Sequence, residues 1–234
     1  MPIAVVTGAN SGIGHALAQL LISEGYEVHA ADHILGPTLQ SLPCRLHRLD
    51  LRSPVSIAGL ATHLASKPIH ILLNVAGIMS LKEDDALPTV TKEILTTTFE
   101  TNAFGPLLLT QALLQSLLLG AEDADGGGAK VGIVSSRVGS IGDNSTGGSY
   151  AYRASKAAVN SVGKSLACDL QSQGIVVSLL HPGITKTNMN PAADADPEAV
   201  EAEEAAAKLW AIMKEKGIED TGKFWHREGH ELPW

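Results

Sequence analysis

A tyrosine and a lysine four positions apart, Tyr152 and Lys156, are the residues of this sequence best suited to move a proton. Small and apolar residues continue at helical spacing to Leu166, which predicts that both side chains leave one face of a helix. A free tyrosine has a pKa near 10, and a nearby ammonium favours the phenolate and lowers that pKa. The pair is therefore a candidate general acid and base, although this spacing also arises by chance on many helices.

The elements that would position this pair begin at the amino end, where a strand, a glycine turn and a helix follow one another. Ile3-Ala4-Val5-Val6 is an apolar run typical of a buried parallel strand, and residues 15–23 have the apolar spacing of a helix. Glycines between them would let a pyrophosphate approach the helix amino end, where free N–H groups favour an anion. Although glycines also serve plain turns, this order predicts a dinucleotide site at Gly8, Asn10, Ser11, Gly12, Ile13 and Gly14.

Asp32 closes the second apolar run, Val28 to Ala31. A carboxylate at this place can accept hydrogen bonds from both adenosine ribose hydroxyls and would repel the additional 2′-phosphate of NADP. The glycine loop contains neither Arg nor Lys, and neither residue is next to Asp32. The sequence therefore favours NAD as the cofactor, with NADP as the other possibility. The competing interpretation of Asp32 is a solvated loop acid.

Later segments alternate between strand and helix patterns. Strands are predicted at residues 45–50, 69–73, 131–134 and 175–180, with a last edge strand inside residues 222–234. A long helix over residues 91–119 should be interrupted near Gly105-Pro106, and a kink beside Asn102 would free backbone groups that can hold a water. The stretch from Gly120 to Lys130 is predicted to be a loop. Asp196-Pro197 is predicted to start a helix that runs to about Lys216.

Composition limits the kind of protein and its partners. A chain of 234 residues with 44% hydrophobic content can bury one sizeable core and falls in the range of a single α/β domain. The net charge of −8 without a basic run argues against nucleic acid and anionic membrane surfaces, and no apolar run is long enough to span a bilayer. Cys44 and Cys168 are expected to be reduced thiols of a cytoplasmic protein. No metal site is expected, including at His226 and His230.

In combination, these features resemble the classical short-chain dehydrogenase/reductase family over nearly the whole chain. The similarity is carried by T-G-x-x-x-G-x-G, N-x-A-G, N-x-x-G, S-x-x-G, Y-x-x-S-K and P-G strings that begin at Thr7, Asn74, Asn102, Ser136, Tyr152 and Pro182. The family usually has N-N-A-G where this chain has Val75, and its spacing from serine to tyrosine is commonly about three positions shorter. The stretches 136–144 and 222–234 are similar to the C-factor and sniffer-type carbonyl reductases, which often use NADPH.

This resemblance implies a fold and a set of roles. The fold would be a single-domain Rossmann-type doubly wound parallel sheet of about seven strands, spanning residues 1–234. Ser136 would bind the substrate oxygen, Lys156 would also hold the nicotinamide ribose, and Asn102 would position a water in a proton relay. Ser135 is the competing candidate for the serine. Further cofactor contacts would come from Asp50, Leu51, Asn74, Ala76, Gly77, Pro182, Gly183, Thr185 and Thr187.

Some of these positions have alternative interpretations. Asn74 would be structural, holding the central sheet together, and Asp50 or Ser53 could instead cap a helix. Asn102 could be part of a plain helix-breaking sequence.

The predicted function is hydride transfer between a nicotinamide cofactor and a carbonyl or alcohol carbon of a small organic substrate, with Tyr152 as general acid and base. Two alternatives stay open: a dehydratase, epimerase or isomerase on the same fold, and a non-catalytic nucleotide sensor. The apolar helix faces around residues 91–119 and 152–172 are, in the family, subunit contacts, and a homodimer or homotetramer is expected.

Overall fold

The computed structural model describes residues 1–123 and 127–234, and its centre is a seven-stranded parallel sheet. The order across the sheet is β3-β2-β1-β4-β5-β6-β7, so the direction of winding reverses between β1 and β4. Ligands of open α/β sheets bind beyond the carboxyl ends of the strands at such a reversal. The predicted Rossmann-type doubly wound sheet is confirmed. The strands are β1 (Ile3–Thr7), β2 (Glu27–Asp32), β3 (Arg45–Arg48), β4 (Ile69–Asn74), β5 (Ala129–Val134), β6 (Ile175–His181) and β7 (Phe224–His226).

Helices cover both faces of the sheet, and each face has its own apolar core. Along β1, Val5 packs in the core beneath α3, α5, α6 and α7, while Ala4 and Val6 pack in the core beneath α1 and α8. This alternation follows from the two-residue repeat of a strand. The helices are α1 (Gly12–Ser23), α2 (Pro37–Gln40), α3 (Pro54–His63), α4 (Lys92–Phe99), α5 (Gly105–Ala112), α6 (Leu114–Glu122), α7 (Tyr150–Leu170) and α8 (Ala202–Glu215).

The long helical stretch is interrupted where the sequence indicated. A π-helical turn, Glu100–Phe104, joins α4 to α5 and contains Asn102. A second break, not predicted, lies at the buried Leu113 between α5 and α6. Within the residues that the structure describes, no single helix is long and apolar enough to cross a membrane. The pair Lys92–Ala112 and Leu114–Glu122, bent by 59°, meets the length and composition criteria only when its two parts are taken together.

Two boundary predictions need correction. The helix expected from Asp196-Pro197 begins only at Ala202, because the Asp196 carboxylate accepts a hydrogen bond from the Glu198 N–H in a local turn and Val200 pairs with Thr185. Within the loop predicted from Gly120 to Lys130, α6 continues to Glu122 and β5 begins at Ala129. Residues 124–126 of that predicted loop lie outside the described residues.

Candidate active site

A cleft of about 990 Å³ opens at the carboxyl ends of the strands. Its walls come from the turn after β1, the ends of β2 and β4, the segment after β5, the start of α7 and the loop after β6. Eighteen of the predicted site residues line it, and Asn74 and Asn102 do not. The lining residues are Gly8, Asn10, Ser11, Gly12, Ile13, Gly14, Asp32, Asp50, Leu51, Ala76, Gly77, Ser136, Tyr152, Lys156, Pro182, Gly183, Thr185 and Thr187.

The turn after β1 has the shape that a dinucleotide needs. Gly8 has a φ of +70°, and a Cβ there would lie 2.9 Å from the Ala76 backbone. A Cβ on Gly14 would lie 2.2 Å from the Gly8 carbonyl oxygen. Only glycine fits these two close approaches. Ser11, the N-cap of α1, makes no side-chain capping bond, so within the described residues the N–H groups of the first turn face the cleft without a side-chain cap. The residues present therefore fit a bound pyrophosphate.

Asp32 lies at the end of β2 on the wall where an adenosine would bind. Its carboxylate accepts hydrogen bonds from the Asn10 N–H at 3.1 Å and the Ile34 N–H at 3.1 Å, and it lies 3.0 Å from Nδ1 of His33. Through these bonds Asp32 joins the glycine turn to the residues after β2. Its oxygens keep acceptor capacity, because a carboxylate has about four lone-pair directions.

The neighbouring part of the cleft is formed by residues after β3 and β4. Asp50 forms two hydrogen bonds of 3.1 Å with the Arg52 guanidinium, which holds the pKa of that carboxyl below its usual value. The cap of α3 is Ser53, whose hydroxyl accepts from the Ser56 N–H, and not Asp50. Past β4, the Thr7 hydroxyl accepts the N–H of Ala76 at 3.1 Å.

Tyr152 and Ser136 face each other in the cleft. Burial raises the pKa of Tyr152, and the interaction with the Ser136 hydroxyl opposes that rise. The sequence predicted that Lys156 lowers the pKa of Tyr152, and this prediction is wrong. Nζ of Lys156 lies 5.7 Å from the centre of the Tyr152 ring, and the effect of burial on the pKa dominates. The competing serine, Ser135, donates its hydroxyl to Oδ1 of Asn160 at 2.6 Å and so serves the packing of α7.

Lys156 is buried, and its environment weakens its hold on a proton. Its Nζ donates a hydrogen bond to the Val134 carbonyl oxygen at 2.9 Å, and desolvation lowers its pKa to about 8. At neutral pH the side chain is an ammonium at the floor of the cleft. Tyr152 and Lys156 leave α7 on the same face, as their spacing predicted.

The two asparagines lie beneath the cleft. Nδ2 of Asn102 donates to the Ile78 carbonyl oxygen at 2.9 Å and to the Ser155 hydroxyl at 3.0 Å, and its Oδ1 accepts the Ile78 N–H at 2.8 Å. The π-helical turn thus fastens the segment after β4 to α7. Asn74 is buried, and its Nδ2 lies 3.4 Å from the Thr110 hydroxyl on α5. The structure therefore does not bring Asn74 to the predicted cofactor contact.

Asp85, which the sequence analysis did not single out, holds the start of α7. Its carboxylate oxygens accept the N–H of Ala151 at 2.8 Å and the N–H of Tyr152 at 3.1 Å, and its side chain is buried. A carboxylate at this position satisfies two of the free donors of α7 and suits the positive end of the helix dipole. In the sequence Asp85 is the last residue of a short polar stretch, 82–85. That local pattern does not indicate that its carboxylate caps a backbone N–H 66 residues later.

Two arginines shape the rest of the cleft. Arg153 donates to the carbonyl oxygens of Val138 and Gly147, which fixes the loop between Ser136 and Tyr152. Arg227, just after β7, donates to the carbonyl oxygens of Pro182 and Ile184, both at 2.8 Å. The loop after β6, which contains Thr185 and Thr187, is therefore fixed from the last strand.

Comparison with known proteins places this geometry among oxidoreductases. The family model described as short chain dehydrogenase matches residues 2–198. The chain is 35% identical over 237 residues to a 1-hydroxy-2-glutathionyl-2-methyl-3-butene dehydrogenase of Rhodococcus sp. (strain AD45), with all of both chains covered. It is 37% identical over 177 residues to the C-signal protein of Myxococcus xanthus, covering 75% of this chain and 99% of that protein.

Solved structures agree over the full length of the chain. The carbonyl reductase Sniffer of D. melanogaster matches with a TM-score of 0.91 and 28% identity, and all of both chains are covered. The NADPH-bound carbonyl reductase from chicken fatty liver matches with a TM-score of 0.89 and 28% identity, again over all of both chains. The predicted resemblance to the C-factor and sniffer-type branch is confirmed.

Proposed function

The chain belongs to the short-chain dehydrogenase family and is an NAD(P)-dependent oxidoreductase of carbonyl and alcohol groups, and we propose that it works as a reductase of a small organic carbonyl compound. The observation that supports carbonyl reduction is the pairing of the Tyr152 and Ser136 hydroxyls in the cleft. A tyrosine has a pKa near 10 and burial raises that of Tyr152 further, so its hydroxyl holds a proton at neutral pH that it can give to a carbonyl oxygen.

Each residue of the group then has one task. The Ser136 hydroxyl donates a hydrogen bond to the substrate oxygen and stabilises the negative charge that develops there. Tyr152 delivers its proton to the same oxygen. A bound nicotinamide would supply the hydride to the carbonyl carbon. The Lys156 ammonium at the floor of the cleft would hold the nicotinamide ribose, and Asn102 holds Ile78 and Ser155 in place beneath the cleft.

The cofactor that we propose is NAD(H). Asp32 is the group on the adenosine wall that supports this choice, because its carboxylate would accept the ribose hydroxyls and would repel a 2′-phosphate. The NADPH in the chicken carbonyl reductase argues for the other choice in that protein. In this chain Arg52, which lines the neighbouring part of the cleft, is already paired with Asp50.

We also propose the assembly and location. Residues 1–234 would act as one domain and associate as a homodimer or homotetramer in the cytoplasm. Exposed apolar side chains on and beside α5, with Phe104 at 51% and Leu108 at 38% exposure, support self-association. Cys44 and Cys168 are free thiols, in keeping with a reducing compartment.

The first test is a parallel fluorescence titration of the purified protein with NADH and NADPH, followed by turnover of a panel of aldehydes and ketones. We expect NADH to bind more tightly and to be consumed with carbonyl reduction. The Tyr152→Phe variant should lose about 10²–10⁴-fold in kcat while its Kd for NADH stays the same. Tyr150→Phe, two residues away and half exposed, is the matched control and should keep its activity.

Three outcomes would contradict the proposal. Tighter NADPH binding would overturn the role of Asp32. Substrate conversion without net consumption of cofactor would favour a dehydratase, epimerase or isomerase. Substantial turnover by Tyr152→Phe would remove Tyr152 from the proton transfer.

A further inference from the structure

Three histidines meet at the edge of the sheet, away from the cleft residues. His29 on β2, His47 on β3 and His63 at the end of α3 form a cluster that we call the edge triad. One ring nitrogen from each lies within 4.8 Å of the others. The three positions are 18 and 16 residues apart in sequence, so they do not form a short sequence motif.

The sheet register brings the first two members together. His29 pairs with Arg45 between β2 and β3, so His47, two residues further along β3, emerges on the same face as His29. Nδ1 of His29 lies 2.8 Å from Nε2 of His47. The ring of His63 completes the group, with its centre 4.9 Å from that of His47 and 6.0 Å from that of His29.

A carboxylate orients the buried member. Nε2 of His29 lies 3.3 Å from the Glu27 carboxylate, and the tautomer that donates this hydrogen bond directs the lone pair of Nδ1 at His47. Metal-ligating histidines are commonly oriented in this way by a carboxylate on the other ring nitrogen.

From this geometry we propose that the edge triad binds a zinc ion, with three imidazole ligands and a water in the fourth position. Ligand atoms of a tetrahedral zinc site, about 2.0–2.1 Å from the metal, are about 3.3 Å apart. The His29–His47 pair must therefore open slightly, and His63 must move inward. His63 is exposed and ends a helix, so it is the member that is free to move.

The surrounding charges set the strength of the site. Lys67 and Arg45 lie close enough to disfavour added positive charge, and Glu27 opposes them from beside His29. Because Arg45 lies 3.8 Å from Glu27, the carboxylate is shared between the guanidinium and the imidazole. Bound zinc would link β2, β3 and α3, which carry the adenosine side of the proposed cofactor site.

The test is calorimetric titration of chelator-treated, tag-free full-length protein with zinc chloride. We expect one zinc per chain, a Kd of about 1 µM or tighter and a higher melting temperature. His63→Ala should weaken binding about tenfold or more while circular dichroism stays unchanged, because this side chain is exposed. Cobalt(II) should show the ligand-field absorption of a tetrahedral site in the unmodified protein and lose it in this variant.

The matched control is His230→Ala, which removes a histidine from the stacked His226–His230 pair, whose ring centres lie 4.6 Å apart. It should bind zinc as the unmodified protein does. Absence of stoichiometric zinc binding, or equal affinity in His63→Ala and the unmodified protein, would overturn the proposal. These measurements need neither cofactor nor turnover, so their outcome is independent of the proposed reductase activity.

Discussion

The Asp85 carboxylate accepts a hydrogen bond of 3.1 Å from the backbone N–H of Tyr152, which lies 67 positions later in the chain. The other oxygen of Asp85 binds the Ala151 N–H, so one buried side chain fixes the first turn of α7. The phenol of Tyr152 projects from that turn. Its position relative to Ser136 therefore depends on the segment between β4 and α4 as well as on α7 itself.

Removal of this cap should impair both stability and catalysis. We expect Asp85→Ala to lower the free energy of unfolding by about 2 kcal/mol, because two buried N–H groups lose their acceptor. We also expect kcat to fall with little change in the Kd for NADH, since the glycine turn is untouched. Urea denaturation and steady-state kinetics measure the two effects.

The control for this prediction is the exposed neighbour Asp84. Asp84→Ala should stay within about 0.5 kcal/mol of the unmodified protein. Asp85→Asn, which keeps one acceptor oxygen, should recover part of the lost kcat. If Asp85→Ala retains full kcat, the cap does not position Tyr152 for the reaction.

Cofactor preference should respond to a single charge at the end of β2. Asp32→Asn keeps the side-chain shape and an acceptor for the glycine turn but removes the repulsion of a 2′-phosphate. We expect the ratio of the NADPH Kd to the NADH Kd to fall about tenfold or more, equivalent to about 1.4 kcal/mol. Glu27→Gln, a charge removal at the opposite end of β2, should leave the ratio unchanged. An unchanged ratio in Asp32→Asn would show that this carboxylate does not select the cofactor.

The pH dependence of reduction should report on Lys156. Its pKa is lowered from 10.5 to about 8, so the ammonium is lost as the pH rises through about 8. We expect kcat/KM for carbonyl reduction to decline along an alkaline limb centred near that pH. Lys156→Arg, which stays charged, should retain less activity but move the limb upward. Equal limbs in the two proteins would assign the titration to another group.

The lowered pKa of Lys156 affects folding stability in the opposite direction from activity as the pH rises. Between about pH 8 and 10.5 the unfolded chain holds a proton on Lys156 that the folded chain has released. The contribution of this group to stability therefore rises with pH in that window. Denaturation profiles at the two ends of the window would distinguish loss of the ammonium from unfolding as the cause of lost activity.

Short-range patterns were enough to predict much of the site. Tyr152 and Lys156, four residues apart, and the glycine turn depend on local spacing, and the structure brings them into one cleft. The pKa of Tyr152 was expected in the wrong direction, because spacing shows which charges are near but not how deeply a hydroxyl is buried.

Long-range partners set the features that sequence patterns missed. Asp196-Pro197 has the composition of a helix start, yet the Asp196 side chain forms a local turn and Val200 pairs with Thr185 in the loop after β6. The same limit applies to Asp85 and to the edge triad, which are assembled from separate elements of the sheet and its helices.

Because Arg227 fixes one wall of the cleft, the cleft can be completed only after this late part of the chain has been synthesised. Its guanidinium holds the carbonyl oxygens of Pro182 and Ile184, more than 40 residues earlier, on the wall of the cleft. A ribosome releases the glycine turn, Ser136 and Tyr152 well before Arg227. The nascent chain can therefore assemble the amino-terminal part of the site first, but the wall formed by the loop after β6 is fixed only when β7 joins the sheet.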